Sequence, residues 1–590
     1  MSTSTHPVNN SGLIQISTVE EMIRQRVAEE RARLEKEAGI VHKQTHNFHK
    51  PIEHAFTADQ RPRTTLLFGG LTWKHEKLVQ GALEGLGYKC EVVPTPNVKA
   101  FQLGKEYGNN GQCNPTYFTV GNLVQYLQQL EEAGQKREDL INNYVFLTAG
   151  ACGPCRFGMY EAEYRLALRN AGFDGFRVML FQQSGGLNQA EAEAGLEMNL
   201  DFFLNMLNGM NMGDVINEVA HQIRAFEVNA GETDAVLDEV VDYMYEVLRK
   251  KSPWTVEERL GKVAGMLPMK GTVEYLGKFL EQLYSDDYVQ ALNHVRDRFN
   301  SIKVDRLKVK PIVKITGEFW AQTTEGDGNF NMFAFLNREG AQVIVESIAT
   351  WINYLIHQAI QKTKDRRGLE EGAVMPAGWR LDKHAKIEWT YRNKLMKLKA
   401  AEMIFAREYH KIVEALGGTG HKLVNQYELQ RVGHPYYNTR AEGGEGHLEV
   451  AKNIYYTNKE LAHMVLSLKP FGCMPSTQSD GAQSAVVAHY KDMIFLPIET
   501  SGEGEINAHS RVQMALGEAK AKAKLEFKDV LQKIGKSADE LREYVAQNPE
   551  LSAALYQVPK YKGVIGTAAN FAIDVAEKMG TKVPYHVEAH

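Results

Sequence analysis

Residues 65–93 read TLLFGGLTWKHEKLVQGALEGLGYKCEVV, and this stretch decides the fold class. Thr65 to Phe68 is a short apolar run that ends at two glycines, which predicts a buried strand. From Trp73 to Leu86, apolar side chains recur at the spacing of one helix face, and Gly87 is a natural helix stop. Cys90 to Val93 predicts a second strand. A strand, a helix and a strand in this order indicate a βαβ unit with parallel strands.

The same alternation continues along the chain. In the first half it predicts helices Pro115–Ala133 and Met159–Ala171, strands Tyr144–Leu147 and Phe176–Phe181, and a mostly helical region from Leu196 to Phe299. In the second half it predicts a strand Pro311–Ile315, helices Gly340–Lys362 and Ile387–Leu416, a strand Met493–Ile498, and helices after Val512. Thr457-Asn-Lys-Glu460 has the letters of a capping box, which predicts a helix over Leu461–Leu468.

We therefore predict an α/β protein with two doubly wound, mostly parallel-sheet lobes, a helical insertion and helical N- and C-terminal extensions. The predicted N-terminal helical arm and linker, residues 1–62, contains a helix over Val19–Ala38. The first lobe follows at residues 63–190, a helical segment at 191–308, the second lobe at 309–510, and a C-terminal helical extension at 511–590.

Composition excludes several function classes. The chain has 590 residues and a formal net charge of −5, so no basic field attracts nucleic acid. The N-terminal residues are polar and lack the apolar core of a signal peptide. No apolar run approaches the roughly 18 residues that a membrane span needs. We expect a cytoplasmic protein that binds neither nucleic acid nor a membrane.

Five cysteines are present, and three of them share one pattern, Cys-x-Pro. The pattern occurs at Cys113, Cys152 and Cys473, and Cys155 completes a Cys-x-x-Cys with Cys152. Proline fits the first position of a helix, so each cysteine of this pattern is expected just outside a helix N-terminus. The unpaired N–H groups there stabilise the thiolate, which is the form that binds metal.

Up to four thiolates suit either zinc or an iron–sulfur cluster. Structural zinc usually takes two close pairs of ligands, whereas here one pair stands with two single cysteines 360 positions apart. That spread favours a site where two domains meet. The Cys-x-x-Cys could instead be a thioredoxin-like redox pair, and any single cysteine could be a buried core residue, as we expect for Cys90.

The same residues resemble a known superfamily. The sequence is similar to the D-component fold of 2-hydroxyacyl-CoA dehydratases and benzoyl-CoA reductases, and within it to the cysteine-containing region of long activator-like proteins, the CoA-substrate-specific enzyme activases. The matching stretches are, in order, Gly111–Pro115 (GQCNP), Ala151–Tyr160 (ACGPCRFGMY), Ile315–Phe319 (ITGEF), Gly443–Gly446 (GGEG) and Pro470–Ser476 (PFGCMPS).

The resemblance implies two α/β lobes with an iron–sulfur cluster between them, as [4Fe–4S], held by Cys113, Cys152, Cys155 and Cys473. In relatives, three cysteines often hold the cluster, which leaves open whether Cys152, Cys155 or both are ligands. It also suggests a homodimer. The long activators carry an ATPase region with a Gly-rich phosphate loop, and this chain has no counterpart. Ile534-Gly-Lys-Ser537 lacks the required upstream glycine. We therefore expect a separate ATPase activator or another redox partner protein.

Five further residues are candidates near such a site. Arg156 and Ser476 could donate hydrogen bonds to the cluster or, alternatively, have only structural contacts. Glu318 ends a predicted strand and is either a cleft residue or a helix cap. Glu445 and His447 lie in a Gly-rich loop and are either catalytic candidates or ordinary loop residues.

Three functions remain open at this point. The first is a low-potential electron-transfer or reductase component. The second is a dehydratase-like lyase that acts on an acyl-CoA or another small substrate at an open iron. The third is a non-enzymatic cluster-carrying scaffold or redox sensor that docks partners through its helical ends.

Overall fold

A computed structural model describes residues 11–38, 56–150, 155–182, 195–251, 270–369, 380–441 and 443–588. The chain divides into two compact units, Met1–Ile52 and Glu53–His590. The first unit contains helix α1 (Ser11–Glu37), which confirms the predicted N-terminal helix and begins before it. The apolar side chains of Met22, Ile23, Val27 and Leu34 are more than half exposed on α1.

The second unit begins with a four-stranded parallel sheet. Its strands are β1 (Thr65–Phe68), β2 (Lys89–Val92), β3 (Tyr144–Gly150) and β4 (Arg177–Gln182), in the order β2-β1-β3-β4. Leu66 lies between Cys90 and Val145 in the register. Because successive strand residues face opposite sides, Leu66 and Leu67 belong to separate cores on the two faces. Helices therefore cover both faces of this sheet.

Five α-helices accompany the first sheet within residues 56–150 and 155–182. They are α2 (Trp73–Gly85), α3 (Val98–Tyr107), α4 (Asn114–Glu132), α5 (Arg137–Asn143) and α6 (Tyr160–Asn170). A helical region follows, made of α7 (Leu200–Arg224), α8 (Glu232–Arg249), α9 (Lys270–Tyr284) and α10 (Asp287–Asn300). Its buried core includes Val215, Val219, Val240 and Phe299.

A second four-stranded parallel sheet repeats the strand order of the first. Its strands are β5 (Ile312–Gly317), β6 (Gln342–Ile344), β7 (Met464–Pro470) and β8 (Phe495–Thr500), in the order β6-β5-β7-β8. Its helices are α11 (Phe319–Thr323), α12 (Met332–Arg338), α13 (Ile348–Asp365), α14 (Leu381–Ala415), α15 (Gln426–Gly433), α16 (Leu448–Asn458) and α17 (Met474–His489).

Three helices follow the second sheet in the described residues. They are α18 (Glu505–Ile534), α19 (Ala538–Gln547) and α20 (Thr567–Lys578). Val512 and Leu516 of α18 are buried against the second sheet, while Phe571 of α20 lies in a separate C-terminal core. Of the helices in the described ranges, none combines the length and the apolar character needed to cross a bilayer.

The predicted fold class is confirmed: two parallel-sheet lobes with helices on both faces and helical extensions. Two local predictions are wrong. The helix predicted from Gly340 begins only at Ile348, because β6 pairs with β5 first and Ser347 then caps the helix through the N–H of Thr350. The predicted capping box at Thr457–Glu460 lies at the end of α16, and strand β7 follows it instead of a helix.

Candidate functional site

The fold brings the cysteine loops to the carboxyl ends of the two sheets. In each parallel sheet the strand order reverses at the first strand, because the second strand is added on one side of it and the third on the other. Open α/β sheets bind ligands beside such a switch point. Cys155 lies in the connection after β3, and Cys473 lies three residues after β7. The two cysteines therefore follow the topologically equivalent strands of the two lobes. Glu318 directly follows β5 and accepts the N–H of Ala321 as the cap of α11.

The loop of Cys113 lies directly on the loop of Cys473. The backbone N–H of Asn114 donates to the carbonyl of Phe471 at 3.1 Å, and its side-chain amide donates to the carbonyl of Thr500 at 2.6 Å. A Cβ atom placed on Gly472 would lie 3.4 Å from the Cα atom of Cys113. Two cysteines that are 360 positions apart in sequence therefore belong to loops in direct contact.

The loop of Cys155 joins the same place. A Cβ atom placed on Gly444 would lie 3.5 Å from the Cβ of Cys155 and 2.9 Å from the Cβ of Pro475. The guanidinium of Arg156 donates to the carbonyl of Gly111, two residues before Cys113. Arg156 thus links two of the cysteine loops. The predicted ligand Cys152 lies outside the described residues.

Two of the cysteines occupy the helix positions predicted from the Cys-x-Pro pattern. Cys113 is the N-cap of α4 and Cys473 is the N-cap of α17, and each helix has proline in its first two positions. Both side chains are buried. The sulfur of Cys113 lies 3.2 Å from the hydroxyl of Thr116 and 3.1 Å from that of Tyr160. Hydroxyl groups are therefore already in place as hydrogen-bond donors to this sulfur.

The three thiols share a buried, electronegative environment. Burial raises the pKa of Cys155 to about 12, and the nearby carboxylates of Glu445 and Glu318 act in the same direction. Burial and the same two carboxylates also raise the pKa of Cys473. Burial raises the pKa of Cys113, although the hydroxyls of Thr116 and Tyr160 oppose this effect. Without a bound cation, these groups are protonated at neutral pH.

Glu318 and Glu445 lie beside the thiols and beside each other. Burial raises the pKa of Glu318 to about 7, against hydrogen bonds from the backbone of α11. Burial and the charges of Glu318 and Glu449 raise the pKa of Glu445 well above its usual value. One oxygen of Glu445, Oε1, accepts the N–H of Phe319 at 2.7 Å. The other, Oε2, is buried and has no hydrogen-bond partner among the described residues.

Ser476 and His447 have contacts of a different kind. The hydroxyl of Ser476 donates to Oε1 of Glu449 at 2.7 Å, and the hydroxyl of Ser479 donates to Oε2 of the same carboxylate. His447 is buried with its ring edge-on to Tyr354, at a centroid distance of 5.6 Å. Burial lowers the pKa of His447 to about 3, so this imidazole is neutral.

Sequence reasoning missed Tyr160 and Glu449. Tyr160 closes the matched stretch Ala151–Tyr160, but a tyrosine carries no ligand signal of its own. Glu449 is 1% exposed in the first turn of α16, and only its buried position in the fold reveals it. Cys90 is buried in the core of the first sheet, as expected for a residue of β2.

Within the described ranges, no three side chains of His, Cys, Asp or Glu already stand together as ligands of a single metal ion. A multi-iron cluster makes a different demand, because each of its cysteines binds a different iron and the sulfurs lie farther apart. The donor set here, two buried thiols and one partly exposed thiol from three contacting loops, suits soft metals. Compared with protein families and with curated proteins, the chain gives no match.

Proposed function

We propose that this chain is an iron–sulfur protein that works as a low-potential electron-transfer or reductase component, with a [4Fe–4S] cluster where its two lobes meet. The observation that carries the proposal is the contact among the loops of Cys113, Cys155 and Cys473. Thiols from three distant segments rarely share a buried place in a cytoplasmic protein without a metal or redox role. The proposal agrees with the resemblance to the dehydratase and reductase superfamily.

The residues fit such a group. Cys113, Cys155 and Cys473 would hold it, and Cys152 stays a predicted ligand. The backbone N–H of Thr116 in α4 and that of Ser476 in α17 interact with Cys113 and Cys473, which favours their thiolate forms. Tyr160 and Thr116 supply hydroxyl donors to the sulfur of Cys113. Hydrogen bonds to the sulfurs of a bound cluster are one means by which a protein sets its potential.

The surrounding charges favour a low potential. The carboxyl groups of Glu318 and Glu445 lie near the thiols, and neither forms a salt bridge with a lysine or arginine among the described residues. Lys469 lies near Cys473 and Glu449, but it pairs with Asp480. An added electron places further negative charge in this buried, electronegative site, which costs free energy in a low dielectric. The oxidised form is therefore favoured. A strong reductant, such as a partner protein driven by a separate ATPase, would be needed to supply the electron.

The proposal is tested by anaerobic purification of the full chain and of the Cys113→Ala and Cys473→Ala variants. We expect iron and acid-labile sulfide in the wild type, with a broad absorbance near 400 nm that both variants lose. Cys90→Ala is the matched control, because this buried cysteine belongs to the core of β2 and should leave the iron content unchanged. Wild-type protein that contains only zinc, or no metal, would refute the proposal.

A further inference from the structure

The loop Gly443–Gly446 carries a glutamate into the cysteine site. Gly443, Gly444 and Gly446 all have left-handed backbones, with φ of 93°, 77° and 54°. Glycine adopts this conformation without the steric cost that a side chain imposes. Close contacts also exclude side chains here: a Cβ on Gly446 would lie 2.6 Å from the hydroxyl of Tyr354. The loop is therefore shaped so that its one charged side chain between these glycines, Glu445, is fixed in place.

The carboxyl group of Glu445 is held by one oxygen and left open at the other. Oε1 accepts the N–H of Phe319, and Oε2 has no partner in the part of the chain that the structure describes. The residue is 4% exposed, so water does not readily satisfy the open oxygen. Leaving a buried polar atom without a partner costs free energy, because its hydrogen bonds to water are lost and not replaced. The fold therefore positions a buried oxygen atom that can still bind a hydrogen-bond donor or a metal ion.

The carboxyl group of Glu445 also lacks a positively charged partner that would stabilise its ionised form. In proteins, buried charges are paired with opposite charges or coordinate metal ions. Among the described residues, no lysine, arginine or histidine forms an ion pair with Glu445. Its charged and ionisable neighbours are instead acids, namely Glu318, Glu449 and the thiols of Cys155 and Cys473. A cation bound among these groups would stabilise the negatively charged form of each of them.

We propose that Glu445 is an oxygen ligand of the metal centre, bound through Oε2, so that three cysteines and one carboxylate hold the group. This inference rests on the proposed function. It assigns the non-cysteine position to a residue of this chain, and it makes Cys152 unnecessary as a ligand. Each acid has one oxygen that accepts a backbone N–H, but Glu318 is the less suitable of the two, because only Glu445 has a second oxygen that is buried without a hydrogen-bond partner among the described residues.

The test uses the Glu445→Gln variant of the full chain, prepared anaerobically with iron and sulfide. Glutamine keeps the shape and can still accept the N–H of Phe319, but its neutral amide is a poor ligand. We expect the variant to lose the iron bound by oxygen as Fe²⁺. After one-electron oxidation with ferricyanide, the remaining cluster should show the electron paramagnetic resonance signal of [3Fe–4S]⁺. In the wild type, Mössbauer spectra should show one iron site distinct from the other three.

One competing variant and two controls make the result decisive. Cys152→Ser is the competing variant, because the assignment of Glu445 requires that it retain the wild-type spectrum and iron content, whereas a ligand role for Cys152 requires that it lose them. Glu503→Gln, in an exposed loop, should also leave them unchanged. Circular dichroism of the metal-free Glu445→Gln protein should match the metal-free wild type, and Glu445→Asp, which shortens the reach of the carboxylate, should reproduce the iron loss if the glutamine variant folds poorly.

The possible failures are distinguishable. A wild-type spectrum in Glu445→Gln and Glu445→Asp, together with loss of the cluster in Cys152→Ser, would overturn the assignment of Glu445 and leave the proposed function intact. Absence of iron and sulfide from the wild type would overturn the proposed function and this inference with it.

Discussion

Replacement of Gly444 by alanine tests whether the cysteine loops are packed as described. Gly444 has φ of 77°, and an added Cβ would lie 2.9 Å from the Cβ of Pro475 and 3.5 Å from the Cβ of Cys155. A left-handed backbone costs a residue with a side chain roughly 1–2 kcal/mol. Overpacking in a close-packed interior typically costs about 1–3 kcal/mol more. We therefore expect the Gly444→Ala variant to be destabilised by roughly 2–5 kcal/mol.

The matched control is Gly481→Ala. Gly481 lies within helix α17, which Cys473 caps, and a Cβ there meets no atom within 4 Å. Alanine is favoured over glycine inside a helix by roughly 0.5–1 kcal/mol, so this variant should be as stable as the wild type or slightly more stable. The two substitutions add the same methyl group in the same lobe, and they differ in backbone conformation and in available space.

Urea unfolding of the metal-free proteins, followed by far-ultraviolet circular dichroism, measures the difference. A lower midpoint for Gly444→Ala and an unchanged or higher one for Gly481→Ala are expected. The rate at which a thiol reagent modifies Cys155, which is partly exposed, should also rise in Gly444→Ala because its loop is pushed away from Pro475. Equal midpoints and equal labelling rates in both variants would refute the packing of this loop against the cysteines.

Three further predictions concern buried groups in the first lobe and between the lobes. Burial raises the pKa of Glu76 to about 8 from 4.5, so the folded state binds more protons between these pH values and its stability falls as pH rises through that window. One pKa unit corresponds to about 1.4 kcal/mol, so Glu76→Gln should be more stable than the wild type at pH 9 by up to about 5 kcal/mol. Near pH 4.5 the two proteins should have similar free energies of unfolding in urea. If the stability of both proteins depends on pH in the same way, this prediction is wrong. Lys74 forms a buried ion pair with Glu325 of the other lobe at 2.5 Å, so Lys74→Met should lower the free energy of unfolding by about 3–5 kcal/mol. The double variant Lys74→Met, Glu325→Gln should recover part of that loss. Additive losses in the double variant would show that the two residues are not coupled. Tyr160→Phe removes a hydrogen bond to the sulfur of Cys113 and should lower the midpoint potential in a redox titration, whereas an unchanged potential would show that this sulfur is not a ligand.

The strands that could be predicted are those with unambiguous boundaries. β1 has the bounds expected from its apolar run, because Gly69 and Gly70 follow the run directly in the sequence and end the strand. β7 was predicted as a helix, because Met464, Val465 and Leu468 have helical spacing and follow the letters of a capping box. All seven residues of β7 are buried, and a fully buried strand has the same apolar run as a buried helix segment. Only pairing with β5 and β8 distinguishes them.

The short strand β6 shows a related limit. It contains only three residues, and the following helix begins at Ile348. The apolar residues of the strand and those of the helix therefore fit one continuous helical spacing in the sequence. A strand of this length gains its stability from pairing with β5 and hardly at all from its own sequence. Local propensity therefore carried too little information to separate it from α13.

The chemistry of the site was readable from sequence, but its geometry was not. The Cys-x-Pro pattern predicted the helix-capping positions of Cys113 and Cys473, because proline at the start of a helix is a local preference. The contact between those two loops depends on the facing of two complete sheets, which no local pattern encodes. The open oxygen of Glu445 is likewise a property of the assembled fold, since it depends on the N–H of Phe319 and on burial by both lobes.

The repeated strand order gives a physical reason for a site between the lobes. Each sheet places a cysteine after its third strand, Cys155 after β3 and Cys473 after β7, and neither lobe alone supplies more than part of a ligand set. A metal centre with ligands from both lobes would bind only when the two lobes face each other. By linkage, its binding free energy then adds to the stability of that arrangement. The contacts of Asn114 with Phe471 and Thr500 favour the same arrangement, because they join the loops of Cys113 and Cys473 without any metal ligand taking part.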